Sequence, residues 1–129
     1  MSRKPLIYLA SPYTSLEQNA NDRKYQEASR FRSVREVALK LHQHGHLVFT
    51  PIAYSHQFAT EFPNIGGCWQ TWQEWDSAMV ARCDEVWVLK LFGWDTSTGV
   101  RAECELARSL GKPVAYITAA DLVPEYEVM

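Results

Sequence analysis

The stretch Asp84–Ile117, DEVWVLKLFGWDTSTGVRAECELARSLGKPVAYI, reads as one strand–helix–strand unit. Asp84 to Leu89 is a short apolar run, the pattern of a buried strand. The turn-forming residues Gly93-Trp94-Asp95-Thr96-Ser97 follow it. From about Thr98 to Leu110 apolar residues return at helical spacing, and Gly111 supplies a stop. Pro113 to Ile117 is the next apolar run. Strands separated by a helix pair in parallel, because the helix carries the chain back to the starting edge.

The same alternation extends toward the N-terminus. Trp69 to Cys83 reads as a helix, Leu6 to Ala10 as a strand ended by Ser11-Pro12, and His46 to Thr50 as a strand ended by Pro51. Residues from about Asp22 to His44 form the remaining helix, with Phe31, Val34, Val37, Ala38 and Leu41 on its apolar face and Gly45 as its stop. Residues 51–68 read as irregular, with Pro63 and Gly66-Gly67 in them, and the tail from Asp121 carries little pattern. The expected fold is a single α/β domain over residues 1–129, flavodoxin- or Rossmann-like. It has a parallel sheet of four to five strands and helices on both faces. In such sheets ligands bind outside the carboxyl ends of the strands. That directs attention to Ser11–Ser15, Pro51–Phe58 and Phe92–Gly99.

Composition narrows the function. The chain has 129 residues, 47% apolar and 22% charged, with a net charge of −2. A nucleic-acid polymer wants a basic face, which this chain lacks. The three cysteines are odd in number and form no CxxC, so they suggest neither a disulfide framework nor a zinc site. The N-terminal apolar run is too short for a signal-peptide core, and no stretch is long enough to span a bilayer. The expected location is the cytoplasm, with no membrane partner.

Two acidic residues are out of phase with their helices. In the last helix Val100, Cys104, Ala107 and Leu110 define an apolar face at about 100° per residue. Arg101, Glu105 and Arg108 lie opposite, yet Glu103 projects onto the apolar side. In the preceding helix Trp69, Trp72, Met79, Val80 and Cys83 form the apolar face, and Asp76 falls in its middle. Burying a charge is costly, so inward carboxylates need a reason. Two of them, on helices flanking one strand, suggest a shared pocket and acid–base or nucleophilic chemistry. Gly99 adds a backbone that a ligand can approach closely, and Ser97 is placed as N-cap of a helix whose amides suit a phosphate or a sugar hydroxyl.

Read together, these residues resemble the nucleoside 2-deoxyribosyltransferase superfamily, which includes hydrolases that release bases from nucleoside 5′-monophosphates. Ile7-Tyr8-Leu9-Ala10-Ser11-Pro12-Tyr13 looks like its opening strand and substrate loop. Gly45 to Pro51 looks like its second strand. Asp76 and Asp84 match an aspartate pair. Ser97-Thr98-Gly99-Val100-Arg101-Ala102-Glu103 looks like the nucleophile motif, followed by Ala107, Gly111, Lys112 and Pro113. The resemblance implies that Glu103 attacks the anomeric carbon and that Asp76 protonates the leaving base. It implies that Tyr13 borders the base or sugar and that Asp84 is structural. Ser97 stands where the transferases carry an acid and the hydrolases a serine, which favours a phosphorylated substrate. The resemblance also implies a homodimer or larger homo-oligomer and no cofactor.

The remaining candidates follow from position. Tyr8 and Tyr13 each offer a hydroxyl to stabilise an ionised Glu103. Ser11 opens the loop after the first strand. His56 lies after the second strand, where a base or phosphate would come within reach. Trp72, in the repeat Trp69, Trp72, Trp75, offers a face for stacking on a nucleobase. His42, His44 and His46 do not converge across Gly45, so no metal is expected. Arg23, near a helix start, is an option for phosphate.

The expected function is therefore cleavage of the N-glycosidic bond of a nucleoside 5′-monophosphate through a glycosyl-Glu103 intermediate. Base exchange by a nucleoside 2-deoxyribosyltransferase, or a non-catalytic nucleotide sensor, are the alternatives. A dinucleotide oxidoreductase is disfavoured by the absence of GxGxxG after the first strand.

Overall fold

The computed structural model describes residues 3–62, 64, 65 and 68–128. In chain order the elements are β1 (Leu6–Ala10), α1 (Ala20–Gln43), β2 (Leu47–Phe49), α2 (Pro51–Glu61), α3 (Trp69–Arg82), β3 (Glu85–Leu89), α4 (Thr98–Ser109), β4 (Val114–Ile117) and β5 (Glu125–Tyr126). They build one five-stranded sheet in the order β2-β1-β3-β4-β5. The first four strands are parallel, and β5 adds an antiparallel edge on β4. The result is a single Rossmann-like α/β domain.

Strand alternation sorts the core into two layers. Ile7 and Leu9 of β1, with Trp87 and Leu89 of β3, face α1 and its buried Val34, Val37 and Leu41. Tyr8 and Ala10, with Val86 and Val88, face the other way, against Val80 of α3 and Val100, Cys104 and Ala107 of α4. The sheet is thus covered on both sides, as a parallel sheet requires. Asn19 caps α1 by accepting from the N–H groups of Asn21 and Asp22. Gly45, at φ +92°, turns the chain from that helix into β2.

Three details differ from the sequence expectation. Pro51 does not open an irregular segment; it is the first residue of helix α2, which runs to Glu61. Proline suits that position because its missing N–H has no helical partner there anyway. Ile52 is then buried against the α1 layer of the core. Pro63, Gly66 and Gly67, which made the stretch look irregular, lie outside the described residues. Leu110 is no part of the apolar face of α4: it caps the helix and is 47% exposed. The patternless tail contributes β5, with Tyr126 donating a hydrogen bond to Glu85.

At the amino end of the sheet, Asp84 holds the start of β1. Its carboxylate accepts from the Leu6 N–H at 2.7 Å and from the Arg3 guanidinium at 2.7 Å. None of the described helices is long and apolar enough to cross a membrane.

Candidate active site

The chain leaves β1 toward β2 on one side and later returns to β3 on the other. The strand order therefore reverses between the carboxyl ends of β1 and β3, where the loops diverge and leave a crevice. The structure has a cleft of about 390 Å³ at that point. Ser11 to Thr14 after β1 form one lip, and Phe92, Gly93 and Thr96 to Gly99 form the other. The first residues of α2 and the first two turns of α3 complete the wall.

Arg30 of α1 ties the lips together. It donates to the carbonyls of Tyr13 and Thr14 on one lip, at 3.1 and 3.0 Å, and to that of Phe92 on the other, at 3.0 Å. Gly93 permits this contact: its φ is +92°, and a Cβ there would sit 3.0 Å from the guanidinium. Further along the first lip, Ser15 accepts no freedom either. Its N–H donates to Glu27 and its hydroxyl to Gln26. Arg23 is absorbed in the same way, donating to the carbonyls of Glu17 and Gln18 rather than facing the cleft.

The two inward acids meet in this cleft. Asp76 and Glu103 both line it, and they are only 9% and 4% exposed. Helix α3 brings the first and α4 the second, from adjacent positions over the same face of the sheet. Beneath them, Tyr8 is fully buried and its hydroxyl donates to Oε2 of Glu103. Asp76 Oδ1 has no hydrogen-bond partner among the described residues. Burial pushes the Asp76 carboxyl up to about 7. Burial likewise pushes Glu103 up to about 8, with the Tyr8 hydrogen bond pulling it down and the charge of Asp76 adding to the rise. Tyr8 is raised well above its usual value, first by burial and then by Glu103. It therefore stays a hydrogen-bond donor.

The other expected site residues divide. Ser11, Tyr13, Trp72, Ser97 and Gly99 line the cleft. Ser97 caps α4 by accepting from the Val100 N–H at 3.3 Å. A Cβ on Gly99 would meet Trp69 at 3.8 Å, an ordinary contact, so the protein interior does not demand glycine there. Tyr8 acts from below, through Glu103. His56 is not a lining residue. It lies behind Tyr13, with Nδ1 2.7 Å from the Tyr13 hydroxyl, Nε2 3.3 Å from the Thr60 hydroxyl, and its ring stacked on Phe31 at 4.1 Å. Burial lowers the pKa of His56 and raises that of Tyr13 to about 12. Trp75 points away, 41% exposed and stacked on Tyr54.

Sequence reading missed several lining residues. Arg30 is the sole cation among the described lining residues, and its partners are up to 62 positions away in sequence. Ile52 and Ser55 join because α2 is a helix. Cys68, the residue before α3, joins too, and hydrogen bonds from Thr71 hold its thiol below the usual range.

Among the described residues, no group of three or more His, Cys, Asp and Glu side chains is placed to hold a metal ion. His44 contacts the Lys40 carbonyl, and His46 meets the edge of Trp87.

No curated protein matches the chain. One family does, over residues 5–119, which include both acids, Tyr8 and every described strand but β5. The chain therefore belongs to the family described as Domain of unknown function (DUF1937).

Proposed function

We propose that the cleft cleaves the N-glycosidic bond of a nucleoside or nucleoside 5′-monophosphate, with Glu103 as nucleophile and Asp76 as acid. The supporting observation is that two carboxyls from different helices line one cleft, and that among the described residues Glu103 has a hydrogen-bond donor while Asp76 Oδ1 has none. That asymmetry suits a division of roles. The Tyr8 hydroxyl favours the charge on Glu103, whereas no described donor reaches Asp76 Oδ1. Burial raises both carboxyls, so the pair carries a single negative charge near neutral pH. The Tyr8 hydrogen bond favours that charge on Glu103 and leaves the proton on Asp76.

In the first step the Glu103 carboxylate attacks the anomeric carbon as the carbon–nitrogen bond breaks. The bonding pair goes to the base, which takes the Asp76 proton. In the second step water attacks the same carbon, Glu103 leaves as carboxylate, and Asp76 recovers a proton. Retaining glycosyl transfer uses such a pair of carboxyls. A second base in place of water would make the reaction an exchange. The first turn of α4, open at Thr98 and Gly99, favours a 5′-monophosphate.

Incubation with a panel of nucleosides and 5′-monophosphates, with and without added free base, tests the proposal by chromatography. Base release without an acceptor supports the hydrolase. Release only with an acceptor supports base exchange. Binding of these compounds with no release in either condition contradicts the catalytic reading and favours a sensor.

A further inference from the structure

The wall formed by α2 has a feature that the acid pair does not use. Ser11, the first residue after β1, lines the cleft at only 7% exposure, and its hydroxyl has no hydrogen-bond partner among the described residues. A buried hydroxyl left unpaired destabilises a fold, so it calls for a partner. Beside β1 in the sheet, β2 leads through Thr50 directly into α2, whose first turn also lines the cleft through Pro51 and Ile52. Thr50 occupies the N-cap position, yet its side chain makes no capping hydrogen bond. The first amides of that helix have no carbonyl within the helix to pair with, and they carry the positive end of its dipole. Ser55, one turn further, lines the same wall. The cleft therefore has at this wall the hydrogen-bond donors and the positive end of a helix.

Building on the glycosidase reading, we propose that this α2 wall receives the ring carbonyl that stands where cytosine and adenine carry their exocyclic amino group, so that the cleft selects oxo bases over amino bases. A carbonyl oxygen accepts from the Ser11 hydroxyl and the first-turn amides of α2. An exocyclic amino group in its place presents hydrogens to donors. The preference deepens in the transition state. As the carbon–nitrogen bond breaks, its electron pair spreads from the base nitrogen toward the ring carbonyl oxygens, and donors aimed at such an oxygen stabilise that charge. The proton from Asp76 then neutralises the departing base.

The test uses two matched pairs, uracil against cytosine and hypoxanthine against adenine, each as the same nucleoside or monophosphate. The expected result is a kcat/KM at least tenfold higher for the oxo member of both pairs. Ser11→Ala should remove most of that preference by slowing the oxo member. It should also raise the Tm of the ligand-free protein, because it deletes an unpaired buried hydroxyl. An amino preference, no preference, or a Ser11→Ala variant that keeps the wild-type preference overturns the proposal. A lowered Tm in Ser11→Ala also counts against it, since the hydroxyl is then already satisfied. Should none of the four compounds release a base, the glycosidase reading fails, and calorimetry with free uracil and cytosine judges the wall by itself. Tighter binding of uracil, weakened in Ser11→Ala, supports it; equal binding of the two bases overturns it.

Discussion

Asp84 and Asp76 lie at opposite ends of the same sheet layer, and their surroundings are opposite too. At the amino end, Asp84 accepts from the Leu6 amide and Arg3, and these partners hold its carboxyl below the usual range. At the carboxyl end, Asp76 has one oxygen with no partner among the described residues, and burial pushes its carboxyl up to about 7. One aspartate fixes a strand and prefers to be ionised. The other is prepared to hold and release a proton near neutral pH. The difference comes from topology. The Leu6 amide at the start of β1 is free to meet Asp84, while the switch point opens the carboxyl end into a cleft where none of the described groups donates to Asp76 Oδ1. A carboxyl is made reactive here by what is withheld from it.

The strongest way to break the comparison is at Glu103. Glu103→Gln should reduce base release by about 10⁴-fold or more, because no other group replaces a nucleophile. It should also make the protein more heat-stable at pH 8. The folded values of Asp76 and Glu103 lie above those of an unfolded chain. Both therefore contribute full stability below about pH 4 and lose it as the pH rises through about 7 to 8. The amide variant lacks that loss, so its Tm advantage should vanish near pH 4. A Tm gain that persists unchanged at pH 4 would contradict the burial account.

Next in size is Asp76→Asn, which should lower kcat by about 10²- to 10⁴-fold, the range for a general acid. The wild type should show a bell-shaped dependence of kcat/KM on pH with its maximum between about 7 and 8. The pair then holds one proton; acid adds a second and alkali removes the last. The amide variant should lose the alkaline limb, which kinetics across pH 5–10 would reveal.

The order in which these residues could be read from sequence is itself informative. Helical phase is enough to turn Asp76 and Glu103 inward, because a period of 3.6 residues leaves no other face for them. The parallel sheet is equally legible, from apolar runs alternating with helices. Pro51 reads in sequence as the end of a strand and the start of an irregular segment, although proline's preference for the first helical position is a signal for the helix it opens. Strand β5 has two residues, too few for a period. The Arg30 staple joins backbone carbonyls, which have no sequence signature at all. His56 shows the same limit: its position after β2 puts it near the ligand edge in sequence, but α2 turns it behind Tyr13. Pattern finds which face a side chain takes, and tertiary contact decides what it touches there.

Tyr8→Phe sharpens the contrast between the two cleft acids. Removing a hydrogen bond to a charged group should slow turnover by roughly 10- to 100-fold. It should also move the acid limb of the pH profile upward, because the Tyr8 hydroxyl lowers the pKa of Glu103. An acid limb that stays in place would show that the hydroxyl does not stabilise the nucleophile.

The smallest catalytic effect belongs to the other end of the sheet. Asp84→Asn should leave kcat/KM within about twofold while lowering Tm by a few degrees at pH 7. A depressed carboxyl stabilises the fold above its unfolded value and loses that contribution as the pH falls. The Tm difference from wild type should therefore shrink below about pH 4. Differential scanning calorimetry at pH 7 and pH 3 would show it. A large loss of activity would place Asp84 in the reaction and erase the division between the two ends.

A covalent sugar on Glu103 is the most direct measure of the mechanism. Turnover of a cleaved substrate can be stopped with acid and the digested protein analysed by mass spectrometry. The peptide containing Glu103 should carry the added mass of the sugar, and the Glu103→Gln variant should carry none. Rapid base release with an unmodified Glu103 peptide, or with the sugar on another residue, would contradict the account.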